Sequence, residues 1–141
     1  MAITISDGAA NAILESGYDA VFNGATLELW SGTRPASANT APAGTLLASG
    51  PVPADAFAAA ASRTKAKQGT WTVTGVSGAG AGTNATWYRL KAVGDTGTTN
   101  AASIRQDGSV TATGGGGDMT MDNVNIANTQ VATVNTFSVS L

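Results

Sequence analysis

A chain of 141 residues with no histidine and no cysteine has few of the side chains that acid–base, nucleophilic or metal chemistry uses, and 85 of its residues are Ala, Gly, Ser, Thr or Asn. Seven basic and nine acidic residues give a net charge of −2, too weak a field to favour binding to nucleic acid through its phosphates. The composition also excludes disulfides and the usual zinc sites, and the length fits one domain whose core is thin.

No segment is expected to enter or cross a membrane. The first residues lack the basic region and apolar run of a signal peptide, and no stretch approaches the ~18 consecutive apolar residues of a membrane span. We therefore expect synthesis and folding in a cytoplasm, and we predict neither a membrane nor a specific nucleic acid as a partner.

Residues 6–22 predict the helix of this chain. Ser6 or Asp7 can cap its start, and Asn23 followed by Gly24 is a good terminator. The apolar stripe is narrow and rich in alanine, which favours close packing against a flat surface. That surface is either the body of this domain or a partner subunit.

From residue 26 onward the apolar residues alternate, which predicts a strand over residues 26–30. The next stretch holds all four prolines, so we expect a long surface connection with a short edge strand at residues 44–48. The alanine-rich residues 54–62 fit either one or two helical turns or an extended run, and the sequence does not decide between them.

Three cations then follow at alternate positions, namely Arg63, Lys65 and Lys67. In an extended chain all three would point to the same side of a strand. Such a row commonly protects a sheet edge, and it would equally suit contact with an acidic partner. We interpret the row as edge protection and keep the acidic partner as the alternative.

Four further strands are predicted, over residues 70–76, 86–93, 102–106 and 109–113. A Gly/Ala loop at residues 78–82 separates the first two, and Asp107 with Gly108 predicts a type I′ hairpin turn between the last two. The glycines of residues 114–117 lack the Gly-Lys-Ser/Thr of a phosphate loop and predict a flexible hairpin connection. A closing strand is predicted over residues 131–141.

About eight strands joined by turns and preceded by one short helix are typical of an all-β fold. We predict an antiparallel β-sandwich of jelly-roll type. Residues 1–24 form the N-terminal arm and helix in this prediction, and residues 25–141 form the sandwich, within a single globular domain.

No set of reactive side chains has the spacing of a known catalytic site. Without His or Cys, nucleophilic catalysis would need a Ser–Lys or Thr–Lys pair, and none has supporting spacing. Two carboxylates would suffice for a glycosidase, but most aspartates lie where turns and caps favour them, such as Asp7, Asp95 and Asp107. We predict that the protein is not an enzyme and holds no cofactor.

One oxygen-rich segment is the best candidate for binding a hard cation. It contains Asp118, Asp122, Asn123 and Asn125. The segment lacks the glycine turn and the terminal acid of a calcium loop, so we interpret it as a turn and predict no metal site.

Tryptophans are the remaining functional candidates. Trp30 and Trp87 lie opposite the apolar alternation of their strands, and Arg89 and Lys91 share the face of Trp87. The two tryptophans fit a core position on the second face of a sandwich, an anchor in a protein interface, or a stacking platform for sugar rings. All three interpretations remain open.

Segments along nearly the whole chain resemble a group of small proteins encoded by tailed bacteriophages. They are MAITIS with the short helix that follows, LELWSGTRPA (27–36), GTLLA (44–48) with the alanine-rich stretch after it, ATWYRL (85–90), DG (107–108), DMTMDNVNI (118–126) and TFSVSL (136–141). The likeness is one of pattern and includes no catalytic signature. It implies a structural protein of the virion.

Among virion roles, the resemblance favours a capsid decoration or cement protein, made in the host bacterial cytoplasm and bound on the capsid surface. Its partners would be the major capsid protein and further copies of itself, as a dimer or trimer. The alternatives are a tail or fibre component and a head-fibre module that binds host glycans. Candidate interface residues are Ile3, Ile5, Trp30, Arg34, Arg63, Lys65, Lys67, Trp87, Arg89 and Lys91.

Overall fold

The N-terminal helix is present and contains one irregular turn. The computed structural model describes residues 4–77, 79 and 83–141, so Ile3 and most of the predicted 78–82 loop lie outside the described residues. The helical segments are α1 (Asp7–Ile13), a π-helical turn (Leu14–Tyr18) and α2 (Asp19–Phe22). The Oγ of Ser6 caps the start by accepting the N–H of Ala9 at 3.2 Å, and Gly24 follows the end with a φ of 70°.

Eight strands follow within the described residues. They are β1 (Thr26–Trp30), β2 (Leu46–Pro51), β3 (Thr64–Ala66), β4 (Trp71–Gly75), β5 (Trp87–Lys91), β6 (Arg105–Ala112), β7 (Met119–Met121) and β8 (Val131–Ser140). Residues 54–62, which the sequence left undecided, contain no helix and form isolated bridges at Phe57 and Ala61. No described helix has the length and apolar character needed to cross a membrane.

The strands close into a seven-stranded barrel, so the predicted jelly-roll sandwich is wrong. Neighbours run in the order β8, β4, β2, β1, β5, β6, β7, and β7 pairs again with β8. Closure depends on β8, whose residues 131–134 pair with β4 while residues 134–137 pair with β7. A closed barrel has a single inward face, whereas a sandwich has two sheets facing each other.

Strand β3 lies in line with β4 on the same side of β8. Its three residues pair with residues 138–140, and the register differs by one residue from that between β4 and β8. Five residue steps separate Ala66 from Trp71 but only four separate their partners Ser138 and Val134, so the extra residue lies in the β3–β4 connection, where Gly69 has a φ of 67°. Against β7, in contrast, the extra residue is Asn135 of β8. The outer end of β8 is therefore covered by β3 on one side.

Alternate residues of the strands point inward and form the core. The buried apolar side chains of this interior include Leu27, Leu29, Leu47, Trp71, Val73, Tyr88, Leu90, Val110, Met119, Met121, Val134 and Phe137. The rings of Trp71 and Phe137 lie 5.3 Å apart, so the few large side chains in this alanine-rich chain are concentrated inside the barrel.

The helix covers one end of the barrel. Tyr18 donates its hydroxyl to Oε1 of Gln106, whose Nε2 in turn donates to the hydroxyl of Tyr88 at 3.0 Å. Gln106 points into the barrel, so Tyr18 of the helix contacts it through the end of the barrel. Burial raises the pKa of Tyr88 to about 12 and that of Tyr18 further, and both phenols stay neutral at ordinary pH.

The predicted hairpin turn at Asp107 and Gly108 is wrong, because both residues lie inside strand β6. Asp107 pairs with Arg89 across the sheet, and Gly108 pairs with Tyr88. A Cβ added to Gly108 would lie 2.5 Å from Cε1 of the Tyr88 ring. Glycine is needed here to admit an aromatic ring and not to turn the chain.

The predicted hairpin connection at residues 114–117 is also wrong, because β6 and β7 are parallel. A parallel connection this short must fold back sharply on itself, since most need a dozen residues or more. Gly114 and Gly116 supply positive φ values of 87° and 79°, and a Cβ on Gly115 would lie 2.6 Å from the side chain of Thr111. The glycines therefore make a compact loop possible.

We expect Gly108→Ala to lower the free energy of unfolding by roughly 1–3 kcal/mol, the usual range for overpacking a core. Urea denaturation measures this loss. Gly17→Ala is the control, since a Cβ at Gly17 meets no atom within 4 Å and helical alanine is favoured over glycine. Equal stability of Gly108→Ala and the wild type would contradict the packing seen around Tyr88.

Candidate functional site

The outward sides of β1, β5 and β6 hold four of the eight charged and aromatic candidates, namely Trp30, Trp87, Arg89 and Lys91. This polar face consists of Glu28, Trp30, Trp87, Arg89, Lys91, Arg105 and Asp107. Strand pairing places Glu28, Arg89 and Asp107 in one row, with Arg89 in the middle. Although the face lies outside the barrel, Arg89 is fully buried, because two loops cover it.

Charges on the polar face neutralise one another across neighbouring strands. Arg89 forms a bidentate pair with Asp107, with Nε 2.8 Å from Oδ1 and Nη2 2.7 Å from Oδ2. Lys91 Nζ lies 2.6 Å from Oε1 of Glu28. Such charge-assisted bonds are the strong class of hydrogen bond, and removing one partner leaves a buried charge unpaired.

The two loops that cover the face are the β1–β2 connection and the β5–β6 connection. Arg89 donates to the carbonyl of Thr40 in the first loop at 2.8 Å. Arg105 forms a bidentate pair with Asp95 of the second loop, at 2.5 and 2.7 Å, and also donates to the carbonyl of Ala38 in the first. The barrel arginines thereby fix the position of both loops.

Arg105 was not among the predicted site residues, and Asp95 and Asp107 were predicted to lie in turns. Their pattern was visible, since Arg105 and Asp107 alternate in the same way as Arg89 and Lys91. The alternation of Arg105 and Asp107 is apparent only when β6 is one continuous strand. The predicted turn at Gly108 divided this strand in two.

The two tryptophans of the polar face stack on each other. Their ring centroids lie 5.7 Å apart at an interplanar angle of 16°, and the Arg89 guanidinium lies 5.5 Å from the Trp87 ring centroid. Trp87 is 1% exposed, which leaves no open face for a sugar. Trp30 is half-buried and donates its Nε1 to Glu28 at 3.2 Å, so the accessible part of the pair belongs to Trp30.

Arg63 joins distant parts of the chain. It and Ser62 have φ values of 62° and 51°, as a two-residue type I′ turn requires. Its guanidinium donates to the carbonyls of Ile5 at 2.9 Å and Leu141 at 2.8 Å, and it lies 3.4 Å from the exposed Asp7 carboxylate. These contacts hold the start of the helix against the end of β8.

Lys65 is buried beneath the helix, with its side chain 0% exposed. Its Nζ lies 2.6 Å from Oε2 of Glu15 and 3.1 Å from Oδ2 of Asp19. Burial alone lowers the pKa of Lys65, but the two carboxylates outweigh it and the pKa is raised. A buried amine cannot protect a sheet edge, and the half-buried Lys67 turns its Nζ to the carbonyl of Gly69 at 2.7 Å.

Two of the open clefts between the described residues each contain one carboxylate. The first, of about 390 Å³, is lined by Arg34, Pro35, Ala36, Ala38, Arg105, Gln106 and Asp107. The second, of about 400 Å³, is lined by Ala66, Lys67, Gly117, Asp118, Asn135, Thr136, Phe137 and Ser138. Neither cleft brings together the two carboxylates that a glycosidase uses.

The oxygen-rich segment near β7 does not converge on one point. Asp118 accepts two hydrogen bonds from β6 at 2.8 Å, while Asp122 accepts a backbone N–H of β8 at 2.8 Å. Asn123 accepts the N–H of Asn125 at 2.9 Å, as in an Asx turn. In the part of the chain that the structure describes, no three His, Cys, Asp or Glu side chains group together to hold a metal ion.

Comparison of the chain with protein-family models, with curated proteins and with solved structures finds no match. The function must therefore be argued from the sequence and from the geometry above.

We expect Asp107→Ala to lower the free energy of unfolding by about 3–5 kcal/mol, because it leaves the fully buried Arg89 unpaired. Chemical denaturation measures the loss. Asp7→Ala, which removes a carboxylate that is 76% exposed, is the matched control and is expected to cost less than about 1 kcal/mol. Similar losses for the two variants would argue against a buried role for the Arg89 pair.

Stability is also expected to fall in acid through Asp95. Hydrogen bonds from Arg105 outweigh burial and lower the pKa of Asp95 to about 2, below its value of about 3.9 in unfolded chains. The pair thus stabilises the fold above about pH 4, and this contribution is lost as the pH falls towards 2. Thermal melts between pH 5 and 2 should show a shallower decline for Asp95→Asn than for the wild type, and parallel curves would contradict the assignment.

Proposed function

We propose that this chain is a structural protein of a tailed-phage virion and that it acts as a capsid decoration protein. The observation that carries the proposal is that all nine acidic side chains are engaged within the chain itself, each in an ion pair or a hydrogen bond. Six form ion pairs, and the other three, Asp55, Asp118 and Asp122, accept hydrogen bonds. The acids thus position loops and strands, as expected of a rigid building block.

Internal pairing also leaves the outer surface nearly neutral. Five of the seven basic side chains, all of which lie in the described residues, are in ion pairs, and Arg34 and Lys67 are not. Low charge lets copies of a protein and their partners approach closely without repulsion. This property suits a subunit that repeats many times over a shell.

Exposed apolar side chains lie at separate parts of the barrel, as a protein that bridges several neighbours requires. Val131 and Leu141 flank β8 at opposite ends, roughly 30 Å apart at the usual rise of a strand. Ile13 is on the helix, and Val93 and Ile104 flank the β5–β6 loop. Burying such groups across two or more major capsid protein subunits would oppose their separation, and repetition over many sites multiplies a modest local free energy.

The test is to locate the chain in an electron cryo-microscopy map of intact virions and to compare capsids with and without it. We expect copies over joints between capsid subunits, and stripped capsids that release DNA at lower temperature until the purified chain is added back. Stripped capsids that keep full resistance to heat would contradict the decoration role.

The same map and one variant separate the alternatives. Density in the tail or fibre would replace the decoration role with a tail or fibre function. Trp30→Ala is expected to leave binding to capsids and to cells unchanged. A loss of cell or polysaccharide binding with normal assembly would favour a head-fibre module that stacks sugars on Trp30.

A further inference from the structure

The Lys65 amine and its two carboxylates form a group of reactive side chains in direct contact beneath the helix. Glu15 and Asp19 are one helical turn apart, so both reach the same Nζ from one face of the helix. Among the described residues, Oδ1 of Asp19 is buried and accepts no hydrogen bond. A buried acceptor without a hydrogen-bond partner costs free energy in the folded state.

We propose that Lys65 and Asp19 join in an intramolecular isopeptide bond, with Glu15 as the catalytic proton carrier. The chemical class is a lysine–aspartate amide, which would tie the N-terminal helix covalently to strand β3. The bond replaces a buried ammonium and a partly buried carboxylate by one neutral amide, which needs no counterion inside the protein.

Contact between the reacting groups supports the assignment. Nζ lies 3.1 Å from Oδ2 of Asp19, and because Oδ2 is bonded to Cγ, the amine lies close to the carbon that it would attack. Reactive groups held in contact behave as if at a high effective concentration, which reaches ~10⁵ M or more for well-oriented pairs. Such a concentration drives condensation in water, where free amines and carboxylates remain apart.

Glu15 is placed to move the protons. Its Oε2 lies 2.6 Å from Nζ, and the same oxygen accepts the N–H of Ala60 at 2.8 Å, which fixes its position. The carboxylate takes a proton from the ammonium and delivers it to the departing oxygen of Asp19, so that Glu15 ends ionised as it began.

The step balances without an oxidant, a reductant or any other reactant. A C–N bond forms between Asp19 Cγ and Lys65 Nζ, and one C–O bond of the carboxylate breaks. Of the three hydrogens of the ammonium, one stays on the amide nitrogen and two leave with the oxygen as water. The positive and negative charges cancel.

Intact mass spectrometry of the purified, denatured full-length chain tests the proposal. We expect the wild type to weigh less than its sequence by one water, and tandem spectra of a digest to show a branched peptide joining the Asp19 and Lys65 segments. Because the digest uses the unmodified sequence, it does not depend on any variant folding. A wild-type chain of full mass, unchanged after days of incubation, would overturn the proposal.

Variants assign the reaction to its residues. Lys65→Arg keeps the charge but cannot condense and is expected to have the full mass, whereas Asp19→Asn is expected to lose ammonia in place of water. Glu15→Gln should form the bond roughly 100-fold more slowly, as expected for loss of a proton carrier. Asp55→Ala removes a distant carboxylate and should leave the bond intact.

One competing product has the same mass. Aspartate followed by glycine can cyclise with loss of water, and Asp7 and Asp107 both precede glycine. A water loss that persists in Lys65→Arg, without the branched peptide, would identify this cyclisation and overturn the isopeptide bond.

Discussion

The structure depends on one strand that closes the sheet. Strand β8 pairs with β4 through its first residues and with β7 beyond them, and its last residues pair with β3. Without this double pairing the remaining strands would form an open sheet with two free edges. Closure also determines where the alternating side chains of each strand point. One side of every strand faces a common core, and the other side faces outward.

The outward side of β1, β5 and β6 is also covered, much as the interior is. The β1–β2 and β5–β6 loops lie over it. Arg89 ties the first loop to the barrel by donating to the carbonyl of Thr40, and Arg105 ties the second through a buried, bidentate pair with Asp95. A chain with few large apolar residues thereby gains a second ordered layer, built from charge-assisted hydrogen bonds instead of hydrophobic packing. Because the charged side chains of the polar face pair with one another and with the loops, the surface of the barrel stays nearly neutral.

Local patterns in the sequence predicted the helix and most strands, since these depend on caps and on alternation within a few residues. Pairing between distant strands was not predictable, because β8 carries the same alternating pattern whether it closes a barrel or completes a sandwich. The errors at Gly108 and at residues 114–117 share one cause. Glycine in a sequence marks either a turn or a place where another group approaches closely, and the Tyr88 ring that decides between them at Gly108 comes from a different strand.

The candidate site, too, was predictable only in part. Trp30 and Trp87 were recognised as lying opposite the apolar face of their strands, and the structure stacks them together. The burial of Lys65 was not predictable from its alternation with Arg63 and Lys67, because the carboxylates that accompany it come from the helix. Long-range partners decide which charges are buried, and a single sequence does not reveal them.

Burial of the ion pairs on the polar face also determines how the molecule responds to salt. Mobile ions screen exposed charges within about 10 Å at 0.1 M and about 3 Å at 1 M, but they do not enter a contact from which solvent is excluded. Arg105 and Asp95 have side chains that are 1% and 5% exposed. We therefore expect the contact between the β5–β6 loop and the barrel to be insensitive to salt, from dilute buffer to concentrated salt.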